Sequence, residues 1–411
     1  MELRPILSAL LRNKTGPVLV AVQVALSLAI LANALHIVQV RQVTASRPSG
    51  IAAESDVFAL QVRHIKAGSH NEQLALQRSE AATLRAVAGV LSVAGTSQMP
   101  LAQSGSYSSL ASKRGQITDS GEAAMFVTPD SLVKTWGLQL TEGRDFRPEE
   151  APEVDTNVSN EFPKVVIVTR ALAEKVWPGE ASAIGKTLFF GTDAKADEAR
   201  VIGVVERLQT PSAQVGPEGA ISAIIPMRWS GNNDEAFTVR AEPGQLDRVM
   251  KETEAALRAA SPTSIIVRTR SMVEMRRERY RADNGLSWML VAVSVLLLLI
   301  TASGIVGMAS LWVTQRRKQI GVRRALGARR IDILRYFITE NILITSAGVV
   351  AGVLLALALN QLLVSKLEMA RLPAGYLLAG AGIFWALGIA AVYGPAWRAA
   401  TISPAMATRS A

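Results

Sequence analysis

Four long apolar runs interrupt an otherwise mixed chain: Pro17–Val40, Leu286–Val313, Tyr336–Val364 and Tyr376–Tyr393. A helix crosses a hydrocarbon layer of about 30 Å with about 20 residues, so each run predicts a membrane span. Gly394-Pro395 reads as the stop of the fourth. Between the first and second runs lies a long stretch, residues 41–283, with a different pattern. Val57–Val62, Lys164–Val168, Val201–Val205, Ala236–Arg240 and Ile265–Arg268 are short apolar or alternating segments that predict strands. Ser79–Ala88, Thr169–Val176 and Leu246–Ala259 read as helices, with Thr169 as an N-cap and Pro178-Gly179 as a stop. Ala102–Ser120, rich in Ser and Gly, predicts a mobile loop or hairpin. Ser271–Asp283 is charged and free of helix breakers, and predicts a helical stalk that continues the second span, with Val38–Val43 doing the same from the first. The fold class that follows is an α-helical membrane protein with four spans and an α+β domain in two lobes.

Charge fixes an orientation for this scheme. The 411 residues carry a formal charge of +10. Residues 41–285 hold 29 basic and 30 acidic side chains, which leaves 15 basic and 4 acidic for the rest of the chain. The excess therefore borders the apolar runs, which argues against a nucleic-acid partner and for a lipid bilayer. The loop 314–335 holds eight Arg and Lys against one acid, Asp332, and is expected on the cytoplasmic side. Arg4, Arg12 and Lys14 hold the N-terminus on that side, the C-terminal residues 394–411 end there, and Lys366, Glu368 and Arg371 form a short outer loop. A rival reading of the first run as a cleaved signal peptide, with Ala32-Asn33-Ala34 as the cleavage site, is disfavoured by the run's length. There is no cysteine, which excludes disulfides, thiolate metal sites and cysteine nucleophiles; the α+β domain must hold itself together through its core.

The basic loop carries more than charge. Gly327 separates two helical stretches, Gln315–Leu326 and Arg329–Phe337, and permits a sharp left-handed turn. Ile320, Val322, Leu326, Ile331 and Leu334 place apolar positions beside the arginines. Such an amphipathic elbow suits the grip of a soluble partner or a resting place on anionic lipid, and the pattern leaves both open. Gly348 and Gly352 form a GxxxG pair in the third run, with Gly304 and Gly307 in the second, as helix-packing sites within or between subunits. Catalytic readings are thin. His36, His64 and His70 have no metal-ligand spacing, and no nucleophile–base set can be assembled. Gly179…Gly185-Lys186-Thr187 imitates a phosphate loop but has five residues between its glycines instead of four.

The segment QRRKQIGVRRALGARRIDILRYFITEN, starting at Gln315, resembles the signature of the FtsX-like permease family. Residues 7–29 resemble that family's entry, a short amphipathic helix (residues 1–16) leading into the first span. Residues 394–407, with Pro395, Ala396, Arg398 and Ser403-Pro404, resemble its ending. Val127-Thr128-Pro129-Asp130, Gly143-Arg144-Asp145-Phe146, Trp177-Pro178-Gly179-Glu180 and Ile184–Leu188 resemble a periplasmic domain of the MacB type.

The resemblance implies a permease subunit of a mechanotransmission-type ABC transporter in the bacterial inner membrane, itself non-catalytic, with both termini cytoplasmic and the large domain in the periplasm. Its expected partners are an ABC ATPase that binds ATP and Mg2+, and a second permease copy or paralogue. A periplasmic adaptor and an outer-membrane channel would complete an export machine. Only 16 residues precede the first run, so the ATPase is expected on a separate chain, and no cofactor is expected on this one. Ile320, Gly321, Arg323, Arg324, Ala325, Leu326, Gly327, Arg329 and Arg330 are the expected ATPase-coupling residues. The alternative is a signalling subunit that switches a periplasmic partner without transport.

Overall fold

The computed structural model describes residues 14–401 apart from 67, 160, 231–233 and 368–370. Most of the expected entry helix, Glu368 of the outer loop and residues 402–411 of the tail lie outside these. In chain order the elements are α1 (Thr15–Ala45), β1 (Val57–His64), α2 (His70–Ala86), β2 (Val90–Gly95), β3 (Tyr107–Ala111), β4 (Gly121–Thr128), α3 (Leu132–Trp136) and β5 (Leu140–Gly143). There follow β6 (Glu153–Asp155), β7 (Val165–Thr169), α4 (Arg170–Val176), β8 (Thr187–Phe190), β9 (Asp197–Val205), β10 (Ser222–Pro226), β11 (Arg228–Ser230) and β12 (Asp234–Ala241). The chain closes with α5 (Leu246–Ala260), β13 (Ile265–Ser271), α6 (Met272–Arg279), α7 (Arg281–Gln315), α8 (Arg317–Ala325), α9 (Arg330–Leu367) and α10 (Ala374–Ala400). Contacts divide it into a helical unit, drawn from residues up to Val43 and from Asp283 onward, and an α+β unit, Thr44–Ala282.

In the helical unit, α1, α7, α9 and α10 are the described helices long and apolar enough to cross a membrane. α1 is the most enclosed, with Val24, Leu28 and Ala32 fully buried. α7 leaves Trp288, Leu296 and Leu299 exposed, a surface suited to lipid. Without a hydrophobic drive in lipid, contact comes from small residues and buried polar bonds. A Cβ on Gly348 would stand 2.8 Å from Ala21 O and from Val24 Cβ, and one on Gly352 would stand 3.0 Å from Ala25 O. The GxxxG pair is thus where α9 lies on α1 of the same chain. Asn33 Nδ2 donates to Ala29 O (3.0 Å) and across to Ala356 O (3.1 Å), and Ser27 bonds Thr301 at 2.9 Å.

Pro395 does not end the fourth helix: α10 runs on to Ala400. Proline removes one backbone bond there, but Pro395, Ala396, Ala399 and Ala400 are all buried, and packing holds the turn that the missing bond weakens.

The α+β unit has two lobes. An antiparallel sheet, β13-β1-β12-β2, is covered on one face by α2 and α5, which bury Leu84, Val249 and Leu257 against Phe58, Leu60 and Val239. A mixed seven-stranded sheet, β5-β9-β7-β10-β4-β3-β8, closes on itself through β8–β9. Its β7 and β9 pair in parallel, as do β10 and β4, and the all-buried run Val165–Thr169 reflects a strand covered on both faces. Trp136 joins the lobes. It is 0% exposed, stands edge-on to Phe126 at 5.6 Å and donates Nε1–H to Thr238 Oγ1 at 2.8 Å.

Two expectations need correction, and one open alternative is decided. The helix expected at Ser79–Ala88 starts at His70, because Ser69 N donates to Glu72 Oε2 at 2.7 Å and fixes an earlier first turn. Of the two readings open for 102–120, loop or hairpin, the structure has the hairpin: β3 pairs antiparallel with β4. The expected continuous stalk is broken at Tyr280 (φ −99°, ψ 7°), between α6 and α7. Met272, Met275 and Tyr280 are buried in the domain core, so α6 belongs to the α+β unit instead of standing free. Arg276 fixes it there, donating to both oxygens of Glu54 (2.7 and 2.6 Å) and to Ala45 O (2.9 Å).

Candidate functional site

The elbow between α7 and α9 is built by a helix stop, a turn and a helix start. α8 ends in a Schellman arrangement: Ala328 N donates to Arg323 O (3.0 Å) and Gly327 N to Arg324 O (3.2 Å). Gly327 has φ +95°, the left-handed region that favours glycine. The next helix begins with Arg329 N donating to Asp332 Oδ2 at 2.9 Å, so the loop's only acid is spent on a helix start.

The elbow has an inner and an outer face. Ile320 and Gly321 are buried, and Ile320 shares an apolar core with Ile333, Leu334, Phe337, Ala396 and Ala399. The extra turns of α10 past Pro395 are part of this seat. Ala325, Leu326, Gly327, Arg329 and Arg330 face outward, with Leu326 83% exposed at the tip and Val322 and Ile331 beside it. Arg323 lies over the Tyr336 ring, 5.0 Å from its centroid, and half-buried Arg324 reaches Ala328 O at 3.5 Å. Of the residues singled out from sequence, Ile320 and Gly321 therefore lie on the inner face, while Arg323, Ala325, Leu326, Gly327, Arg329 and Arg330 are exposed. Gly348 and Gly352 lie away from this elbow, on the α1–α9 contact.

One member of the site escaped sequence reading. Glu340, 1% exposed, accepts from Arg316 Nη1 through both oxygens, at 2.9 and 2.8 Å. Arg316 also stands over the Trp312 ring at 6.0 Å. The pair binds the root of the elbow to the first turns of α9. An acid inside an apolar run is itself a signal of a functional or structural partner, and Arg316 at the end of the preceding span is the natural one.

In the α+β unit the false phosphate loop is a structural turn. Lys186 pairs with Glu180 at 3.1 Å and stands over the Trp177 ring at 5.7 Å, and Thr187 opens β8. Among the described residues no group of three or more His, Asp or Glu is placed to hold a metal.

The helical unit thus sets a buried ion pair at the root of a basic elbow, and the chain also carries a large α+β unit. Residues 291–404 match the FtsX-like permease C-terminal family, so the chain carries an FtsX-like permease domain. It is homologous to MacB and PvdT proteins. It is 28% identical over 203 residues to the macrolide export ATP-binding/permease protein MacB of Syntrophobacter fumaroxidans, covering 48% of this chain and 28% of that one. It is 39% identical over 134 residues to the pyoverdine export ATP-binding/permease protein PvdT of Pseudomonas syringae pv. syringae, covering 32% of this chain and 20% of that one. The chain thus spans less than half the length of these curated relatives. Among solved structures, the extracellular domain of the noncanonic ABC-type transporter YknZ covers 52% of this chain at 18% identity, with a TM-score of 0.32.

Proposed function

We propose that this chain is the inner-membrane permease of an ABC export system. The elbow at Ile320–Leu334 docks a cytoplasmic ATPase, and the ATPase's motion passes through the helices to a periplasmic α+β domain. The observation that supports this most is the elbow's build: an exposed Leu326 on a segment that also exposes Arg323, Arg329 and Arg330, on a base held by Ile320 and by Arg316–Glu340. A partner that fits it offers an apolar pit with an acidic rim. The names of the MacB and PvdT relatives, each an export ATP-binding/permease protein, support an ATPase partner and export as the work done. ATP and Mg2+ belong to that ATPase. A second permease copy or paralogue, an adaptor and an outer-membrane channel complete the proposed machine.

Charge reversal at Arg323 and Arg324 is expected to abolish co-purification of the ATPase while the bundle stays folded. A complex that survives a charge-reversal and Leu326→Asp scan of the whole elbow overturns the docking. Because the chain contains no cysteine, single cysteines report orientation directly. One at position 326 should be shielded from membrane-impermeant maleimide in intact cells, and one at position 117 should react.

A further inference from the structure

The α+β unit buries a second set of ionisable groups that the permease reading does not use. His64 at the end of β1 and Glu80 on α2 are each 7% exposed, with Nε2 and Oε1 3.0 Å apart. The approach is off line for a hydrogen bond, and His64 Nδ1 and Glu80 Oε2 have no protein partner. Glu235 on β12 shares the site. Its Oε1 accepts from Gln77 Nε2 (2.9 Å), and the same amide donates to Trp229 O on β11 (2.8 Å). One turn of α2 therefore holds β11 and β12 through groups that share a buried space with two carboxyls and no closely paired cation.

The surroundings offer little compensation. On β11, half-buried Arg228 touches Gln77 Oε1 at 3.5 Å and leans to Glu153 of β6 at 3.7 Å. On β12, Asp234 is taken by Arg63 (2.5 and 2.8 Å). At the start of α2, His70 Nδ1 meets Ser230 Oγ at 2.5 Å. β13 sets Ile265 opposite His64, and α5 presents Val249, Thr253 and Leu257 to the same lobe. Burying an unpaired carboxylate is costly, so the carboxyls keep their protons. Burial, then repulsion from Glu235, pushes Glu80 up to about 8, and burial pushes Glu235 up to about 7, with the Gln77 bond and the Arg228 charge opposing. Burial pushes His64 down.

We propose that the cluster of buried Glu80 and His64 with half-buried Glu235 is a proton-operated latch. With its protons it seats α2 against β11 and β12, and on losing them it releases that seam. For both carboxyls the stabilisation is complete below the ordinary carboxylate range and is lost as pH rises through the folded values. The neutral His64 favours the fold above its ordinary value, and that contribution is lost as pH falls through its lower folded value.

The test is amide hydrogen exchange on the full-length protein in nanodiscs at pH 6 and pH 9, corrected for intrinsic base catalysis. Protection of residues 70–86 and 234–241 is expected to fall at least about tenfold at pH 9, the scale of one unit in a proton equilibrium, while residues 165–169 hold steady. The combined Glu80→Gln and Glu235→Gln variant should keep protection at both pH values, and each single variant should lose only part of the pH dependence, because the other carboxyl still titrates. Equal wild-type protection at the two pH values overturns the latch without any variant, as does a uniform loss that includes residues 165–169. Persistence of the full pH dependence in the folded double variant does the same.

Discussion

The helical unit and the α+β unit each bury a carboxyl that is almost fully enclosed, and they treat it in opposite ways. Glu340 is clasped through both oxygens by Arg316, beside an aromatic ring. Glu80 has an off-line imidazole, an acidic neighbour and an oxygen with no protein partner. The same contrast runs through the packing. The bundle closes where a glycine meets backbone, at Gly348 and Gly352, whereas the α+β unit closes around Trp136, Phe126 and β-branched strands. Where water cannot supply the drive, fit and pairing must. Where water can, large apolar side chains suffice and an uncompensated polar site is tolerated as long as it holds its protons.

The comparison can be broken by substitution. Trp136→Ala should cost the α+β unit about 3–5 kcal/mol, because it opens a large cavity and strips Thr238 of its donor. Loss of the near-ultraviolet melting transition at its usual temperature would show it. In the bundle, Arg316→Ala should cost about the same, about 3–5 kcal/mol, since Glu340 is left buried and alone. The double change Arg316→Met with Glu340→Leu should recover most of that in detergent-unfolding curves. A double variant no better than the single would mean that the pair is not the buried charge problem described here.

Gly348→Leu should cost about 1–3 kcal/mol by overpacking against Ala21 and Val24, with no change in the melting of the α+β unit. A shift in both units would blur the distinction drawn between them. The smallest effect belongs to a helix cap. Thr169 Oγ1 accepts from Leu172 N at 3.3 Å, so Thr169→Ala should cost about 1 kcal/mol, read as a few degrees in Tm.

Much of this architecture was legible in the sequence because its signals are long or local. Four apolar runs of span length have few rival readings, and Val165–Val168 and Val201–Val205 announce buried strands by β-branched composition alone. Thr169 announces its helix for an equally local reason, a short hydroxyl side chain before the first turn. The misses share a cause, in that a tertiary contact outvoted a local rule. Pro395 reads as a stop until Ala396 and Ala399 are seen packed beside Ile320. Ser271–Asp283 reads as an unbroken rod until Met275 and Tyr280 are seen in a core. Glu340 stands inside the third apolar run with no partner visible from the pattern, because Arg316 lies 24 residues back, before α8. The strand orders of both sheets were out of reach for the same reason. At the elbow, residue types and spacing showed the arginines and Gly327, but which apolar residues point in (Ile320) and which out (Leu326) was visible only in three dimensions.

Gly327 leaves the space where a side chain would begin empty, with no atom within 4 Å, so its requirement is one of handedness alone. A methyl group of the ordinary L configuration strains that backbone, and its mirror image does not. D-alanine placed at 327 by chemical ligation should therefore leave the bend intact or stiffen it, where L-alanine loosens it. The corner of the lever would then be set by chirality, without regard to bulk.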